Sequence, residues 1–483
     1  MRSLDCFTRR IRELSDELIK LSATKLAAMI RAREVSPVEV VEAHLRQIER
    51  LNPKLNAIVT LAQHSLERAR EAEAAIMRGD ELKPLHGVPF TVKDTIETER
   101  LLTTSGSRLR SSHVPDRDAL AVARLKKAGA ILLGKTNVPE MAIPYECDNP
   151  VFGRTNNPHD LTKTSGGSSG GEAAAISACL SPIGLGSDLS GSIRVPAHFC
   201  GIMGLKPTTG RVPSAGHCPP IMGTISEGAV IGPMARTIED LSLLLNLLSE
   251  QFVVRFVSSR PERTRYSMRG WRVAAYWGEN YSPISVETRN AIHRALRALD
   301  QAGFVIVEET PPGIERLINL WPALFSLVSA SHLRVIYSGH EEQAGKLALA
   351  VLASLKKSQP PTPDEFLGVR RELYDLQKAL IEWMQATPLF IAPVGAVPAF
   401  RHGARQVDVE EETISVFRAF GYSRLANVVN LSSVSVPAGR THDGLPIGVQ
   451  VIGRGYQDEA VLVVASIIED ALGGWVQPPD VIA

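Results

Sequence analysis

"SGGSSGGE", residues Ser165 to Glu172, places four glycines and three serines in eight positions. Glycine loses more backbone freedom on folding than any other residue. A run this rich in it, inside a well-packed chain, needs a physical reason. Its neighbours indicate where it sits. "EAAAISACL" (172–180) is alanine-rich and predicts a helix, and "PIGLGSD" (182–188) predicts a buried strand. "LSGSIRVPA" (189–197) leaves that strand through a tight loop. The Gly-rich run therefore opens a helix, and a second Gly/Ser loop follows the next strand. In open α/β sheets, sites gather at the carboxyl ends of strands.

Further out, the alternation continues. "GVPFTVKD" (87–94) reads as a short apolar strand ending in charge, with Lys93 near its end. "DALAVARLKKAGAILLGKT" (118–136) reads as a helix stopped by Gly129 and then a strand. "ETRNAIHRALRALDQAGFVIVEE" (287–309) repeats that unit with Gly303 as the stop. In "SPVEVVEAHLRQIERLNP" (36–53), Ser36 is a helix N-cap, Pro37 the first helical residue and Glu39 the closing member of a capping box. Helix–Gly–strand alternation points to an α/β sheet with crossover helices. Residues from about 311 to 385 read as mostly helical. "PLFIAPVGAVPAF" (388–400) and "PIGVQVIGR" (446–454) read as buried strands, and "DEAVLVVASIIEDAL" (458–472) as a helix. "SSRPERTRYSMRG" (258–270) and "KKSQPPTPDE" (356–365) read as polar connections. No stretch resembles a linker between independent domains, so one large domain is expected over 1–483. Within it fall a helical N-terminal region (1–75), a catalytic core (about 80–250) and a variable pocket region (about 311–430).

Bulk properties narrow the function. The chain has 483 residues, 44% hydrophobic and 22% charged, which is ordinary globular composition. Its 53 basic and 52 acidic residues nearly cancel, so no net field favours nucleic acid or an acidic membrane. A small-molecule substrate is expected instead. The five scattered cysteines show no CxxC pattern and signal neither a disulfide framework nor a zinc site. The start, "MRSLDCFTRR", lacks the apolar core of a signal peptide, and no apolar run is long enough to span a bilayer. The expectation is a soluble, cytoplasmic protein with no integral membrane segment, its oligomeric state left open.

By motif logic the Gly/Ser run has three readings. A phosphate loop needs Lys-Ser/Thr after its last glycine, and here the acidic Glu172 follows. A nucleophile elbow fits "GGSSG" formally, but needs a strand immediately before it and a downstream Asp and His. "NNPHDLTKT" is a poor strand, although His198 and His217 are available. A plain Gly/Ser surface loop is the third. "SATK" (22–25) and "SLKK" (354–357) match SxxK, but both fall in helix-like, charged surroundings and read as surface helix. His86 and His198 read as packing residues, and Cys200 and Cys218 as inert buried thiols.

The whole constellation adds a fourth reading. Lys93 in "GVPFTVKD", Ser168 in "SGGSSGGE" and Ser192 in "GSDLSGSIRVPAHFCGIMGLKPT" (186–208) resemble the amidase signature family of Ser–Ser–Lys hydrolases. The resemblance runs from "LSATKLAAMIRAREVSPVEVV" (21–41) to "GLPIGVQVIGRGYQDEAVL" (444–462). "YECDNPVFGRTNNPHD" (145–160) before the Gly/Ser run is most similar to the fatty-acid-amide-hydrolase-like branch.

The resemblance implies a mixed central β-sheet flanked by helices, and hydrolysis of a carboxylic amide or ester without metal or cofactor. It implies Ser192 as nucleophile and Ser168, on a cis peptide bond, as the bridge to Lys93. The N–H groups of Leu189, Ser190, Gly191 and Ser192 would form the oxyanion hole, with Asp188 and Arg194 holding that loop in shape. Glu172 is expected to be a helix-start charge interacting with the dipole. Lysine serves as a base only when uncharged, so its pKa must fall from ~10.4 to near 7, which burial away from a carboxylate can do. Asp94 follows Lys93 in sequence and, on a strand, points to the opposite face. Where the family usually has two glycines, this chain has Ser190 and Gly191, a strained choice if position 190 needs positive φ.

The alternative implied by the same resemblance is the glutamine-amidase subunit of a tRNA-dependent amidotransferase. "SIRVPA" (192–197), in place of the "SIRQPA" typical there, counts against it. The substrate pocket is expected in the region 311–430, where Trp321, Phe325 and Leu327 are lining or core.

Overall fold

The computed structural model describes residues 16–249, 265, 267–278, 280–357 and 361–479. The readings of residues 1–10 and of most of 258–266 and 358–360 lie outside the described residues.

Fifteen strands form among these residues: β1 Ile58–Leu61, β2 Pro89–Lys93, β3 Ile131–Thr136, β4 Asn156–Asn157, β5 Asp160–Thr164, β6 Ile183–Asp188, β7 Met203–Lys206, β8 Val230–Ala235, β9 Arg272–Ala275, β10 Val305–Val307, β11 Leu389–Pro393, β12 Gln406–Val409, β13 Glu412–Ser415, β14 Ser432–Arg440 and β15 Pro446–Gly453. Eleven of them make one sheet in the order β1-β3-β2-β6-β8-β7-β14-β15-β11-β9-β10, while β4–β5 and β12–β13 are separate hairpins.

The two helix–Gly–strand units explain the parallel parts of this mixed sheet. Helix Leu120–Lys127 ends before Gly129 (φ +91°) and returns the chain into β3, parallel to β2. Helix Val286–Gln301 ends before Gly303 (φ +93°) and returns it into β10, parallel to β9. Parallel neighbours require such crossovers, whereas the antiparallel β14–β15 pair needs only a short connection. Strand β6 lies parallel to β2 on the other side, with Thr91 opposite Gly184 and Val92 opposite Leu185. The carboxyl ends of β2 and β6 thus lie side by side, bringing Lys93 next to Ser187 and Asp188.

Every residue of β2, β6 and β8 is buried, as expected of strands covered on both faces. One face carries helix Gly170–Ser177, whose eight residues are all buried, packed against helix Arg194–Cys200. The capping box at Ser36 and Glu39 forms as expected, with Pro37 opening helix Pro37–Leu55. The region predicted helical folds into helices Ile314–Trp321, Leu327–Ile336, Lys346–Lys357 and Pro363–Ala386. A π-helical turn, Pro322–Ser326, joins the first two. No helix among the described residues is long and apolar enough to cross a membrane.

Candidate active site

Lys93 is the last residue of β2 and is fully buried. Its Nζ lies 2.6 Å from Ser168 Oγ, 2.9 Å from Ser169 Oγ and 3.0 Å from Ser187 Oγ. Desolvation lowers its pKa to about 7, although Asp188, Cys147 and Glu172 pull the other way from a distance. Among the described residues, no carboxylate is hydrogen-bonded to it. Asp94 turns away as expected: its Oδ2 accepts from the Thr104 N–H at 3.0 Å and the Thr104 hydroxyl at 2.5 Å. Its carboxyl is raised by burial and opposed chiefly by Lys135.

The glycines of the opening stretch have specific reasons. Gly166 adopts φ +84° with its α-carbon against Pro196, where a Cβ would come within 2.8 Å of the Pro196 Cα. At Gly167 a Cβ would meet the backbone of Pro144, Tyr145 and Glu146. This close approach seats the loop, and the Gly167–Ser168 peptide bond is cis.

Ser192 stands at the start of helix Arg194–Cys200 and lines the same cavity as Ser168. Its carbonyl accepts the Ser169 N–H at 3.0 Å, which ties the two Gly/Ser loops together. Its hydroxyl and that of Ser168 are not hydrogen-bonded to each other among the described residues. The structure therefore closes the Lys93–Ser168 link and leaves the Ser192 side chain facing the cavity. Catalytic hydrogen bonds often tighten only once substrate is bound.

Residues 188–192 are held rigidly. In a trans peptide the carbonyl and the following N–H point in opposite directions, so fixing a carbonyl aims the next N–H. The Asp188 carbonyl accepts from Asn427 Nδ2 at 3.2 Å, the Leu189 carbonyl from Trp321 Nε1 at 2.8 Å, and the Ser190 carbonyl from the Tyr145 hydroxyl at 2.7 Å. The Gly191 carbonyl accepts from the Val195 N–H at 2.7 Å. Beneath the loop, the Asp188 carboxylate accepts from the Gly191 N–H at 2.8 Å, the Ile193 N–H at 3.0 Å and Arg194 Nη2 at 3.0 Å. Burial would raise Asp188, but Arg194 and these N–H groups hold it down at about 2. Arg194 also donates to Gln450 Oε1 and Asn427 Oδ1, each at 2.8 Å.

Two expectations change here and one is refined. The Gly191 N–H is directed at Asp188, so it belongs to the loop's support. The N–H groups of Leu189, Ser190 and Ser192 have no acceptor among the described residues. Ser190 carries no strain, because positive φ falls on Gly191 (φ +102°) and not on Ser190. Glu172 lies in the first turn of helix Gly170–Ser177, as expected, but is turned inward. It is fully buried, accepts hydrogen bonds from the Thr91 and Thr136 hydroxyls, and burial raises its pKa to about 7.

The cavity facing these loops has a volume of about 480 Å³. Its walls are largely apolar, with Met141, Ile143, Trp321, Leu333, Val351 and Phe417 among them. Phe325 and Leu327 do not line it, and Phe325 is buried core. Asp188 is the only acidic or basic (Asp, Glu, Lys, Arg) residue on its surface among the described residues, and it is paired with Arg194.

Sequence reasoning missed Ser187 and Tyr145 as neighbours of this site, and weighed Ser169 and His217 without giving either a place in it. Of the two histidines considered there, His198 is a satisfied core residue: Nε2 meets the Val397 carbonyl at 3.1 Å and Nδ1 accepts the Gly448 N–H at 2.7 Å. His217 instead lines the cavity and bonds to Ser187. Cys200 and Cys218 are buried free thiols, both raised by desolvation. No cluster of three or more His, Cys, Asp or Glu is placed to hold a metal among the described residues.

Comparison with known proteins gives a consistent result. Residues 39–462 match the family described as Amidase. One of the subunits of glutamyl-tRNA(Gln) amidotransferase from Carboxydothermus hydrogenoformans is 32% identical, over 94% of this chain and 97% of that protein. An acylamidase from Rhodococcus erythropolis is 31% identical, over 94% of this chain and 96% of that protein. A solved structure of fatty acid amide hydrolase superposes with a TM-score of 0.82 at 25% identity, over 96% of this chain and 87% of that one.

Proposed function

The chain belongs to the amidase family and is an amide-hydrolysing enzyme, and on that premise we propose that Ser192, Ser168 and Lys93 form its catalytic triad, acting on amides with an apolar group. The observation carrying this reading is the buried Lys93 amine, 2.6 Å from Ser168 Oγ and, among the described residues, hydrogen-bonded to no carboxylate.

A serine hydroxyl is a weak nucleophile until a base takes its proton. In the proposed sequence, Ser192 Oγ attacks the substrate carbonyl carbon. Its proton passes to Ser168 Oγ, and the Ser168 proton passes to Lys93 Nζ. The carbonyl oxygen becomes an oxyanion, held by the N–H groups of Leu189, Ser190 and Ser192. Each such donor is worth on the order of 3–4 kcal/mol in comparable sites. The C–N bond then breaks as Lys93 returns the proton through Ser168 to the leaving nitrogen. Water, activated through the same relay, releases the acid from the acyl-enzyme on Ser192.

The relatives among tRNA-dependent amidotransferases keep a second reading in view, in which glutamine is the substrate. Glutamine carries an α-ammonium and an α-carboxylate, and entering an apolar cavity without partners for them is costly. The one Asp, Glu, Lys or Arg on the cavity surface among the described residues is already paired with Arg194. This favours aryl or alkyl amides, as does the acylamidase relative.

The test is hydrolysis of an amide panel, glutamine included, by the wild-type chain and by Ser192→Ala and Lys93→Ala. Both variants should lose at least ~10³-fold in kcat while staying folded, as removal of triad members does elsewhere. Apolar amides should be turned over in preference to glutamine. Activity surviving in Ser192→Ala would overturn the mechanism, and a preference for glutamine would overturn the substrate class.

A further inference from the structure

Lys93 has a second hydrogen-bond path, separate from its bond to Ser168. Ser187 Oγ lies 3.0 Å from Lys93 Nζ, and His217 Nε2 lies 2.9 Å from Ser187 Oγ. The other ring nitrogen, His217 Nδ1, lies 2.7 Å from the Pro219 carbonyl oxygen. A carbonyl oxygen can only accept, so Nδ1 carries the proton and Nε2 of the neutral ring is bare. Ser187 must then donate its hydroxyl proton to Nε2. Its lone pairs are left facing Lys93.

Ser169 reaches the same state by another route. Its hydroxyl donates to the Ser187 carbonyl at 3.3 Å and accepts the Ser187 N–H at 3.3 Å. An uncharged amine has two N–H bonds and one lone pair. With Ser169 and Ser187 both presenting lone pairs, the two N–H bonds are used, and the Ser187 carbonyl, 3.4 Å from Nζ, can only accept and so offers the amine's lone pair no partner. The amine's own lone pair is left for Ser168.

We propose that His217 is a positioning residue that sets the direction of this hydrogen-bond chain, so that uncharged Lys93 offers its lone pair to Ser168 and to no other neighbour. The proposal rests on the reading of Lys93 as the base. The arrangement serves both states of the relay. Once Lys93 has taken the proton, its three N–H bonds meet the three oxygens of Ser168, Ser169 and Ser187, and no side chain has to move. Desolvation lowers His217 to about 4, aided by Lys93 and Lys135, which keeps the ring neutral in ordinary buffers.

Steady-state kinetics of His217→Leu, His217→Gln, Ser187→Ala and the double variant test it on the best amide found for the wild type. His217→Leu frees the Ser187 hydroxyl to donate to the Lys93 lone pair in competition with Ser168. The expected result is a fall in kcat of roughly 10- to 100-fold with KM within about twofold. His217→Gln, whose side-chain oxygen can accept from Ser187, should recover most of that loss. In the Ser187→Ala background, where no hydroxyl remains to be oriented, His217→Leu should have no further effect on kcat. If His217→Leu does not fold, His217→Asn serves, since it is too short to reach Ser187 and should show the same loss. An unchanged kcat, a change confined to KM, or an equal loss with and without the Ser187 hydroxyl would overturn the role of His217. Lys93→Ala measured alongside separates the two ideas: its retaining wild-type turnover would overturn the base assignment itself.

Discussion

Burial alone does not make a lysine a base. Lys135 and Lys206 are as buried as Lys93 and are lowered by desolvation to about 8 and about 7. Lys206 donates to the Pro207 and Leu431 carbonyls, and Lys135 to the Ile96 carbonyl and to the Thr98 and Thr103 hydroxyls, none of which lines the cavity. A carbonyl cannot hand on a proton. Lys93 differs because two of its hydroxyl partners, Ser168 and Ser187, line the cavity. The same scale explains Asp188, whose carboxylate and the guanidinium of Arg194 are both fully buried and answer each other. Because the folded state holds the Asp188 pKa below the unfolded value, its contribution is present above the ordinary carboxylate range and fades as pH falls toward about 2. Asp188→Asn leaves the Arg194 cation without its counter-charge. Loss of one partner from a buried pair costs about 3–5 kcal/mol. Urea denaturation at neutral pH should show a loss of that size, and an unchanged midpoint would contradict this account of the loop's support.

At the scale of elements, the proposed oxyanion loop is shaped by parts of the chain far away in sequence. Trp321, at the end of helix Ile314–Trp321, holds the Leu189 carbonyl and so aims the Ser190 N–H. Trp321→Phe keeps an aromatic wall and removes only that bond. We expect kcat to fall by about tenfold, short of the 10²–10³ that losing a donor outright costs. KM for an apolar amide should hardly move, and a loss confined to KM would make Trp321 a wall residue alone. Much of this architecture was readable beforehand. The Gly/Ser loops, the strand ending in Lys93 and the two Gly-stopped helices carry strong local signals. What could not be read has physical causes. "GGEAAAIS" has no polar face, so nothing local distinguishes a Glu172 turned inward from one at the surface. His217 meets Ser187 across 30 positions of sequence, which no local pattern encodes. Strain at Ser190 stayed conditional because the positive φ of one residue could not be assigned between two neighbours.

For the molecule as a whole, the sheet brings the proposed reacting groups together and the helices of 314–357 close the space around them. Parallel pairing of β2 with β6 sets Lys93 beside Ser187. The cover is pinned to the core at Glu140, which accepts from the Tyr337 hydroxyl at 2.8 Å and from the Gly345 N–H at 2.9 Å. Leu333 and Val351 of this cover reach the cavity, and its apolar lining follows from them. The central claim is that three separate segments act as one proton path ending on an uncharged amine. Its most direct test is the rate of labelling by a serine-directed fluorophosphonate as a function of pH, with the labelled residue mapped by peptide mass spectrometry. In the proposed mechanism the neutral amine is the active form, so labelling should fall on Ser192 and quicken as pH rises through about 7, and Lys93→Ala should abolish that rise. Labelling elsewhere, or the same pH dependence without Lys93, would contradict the account.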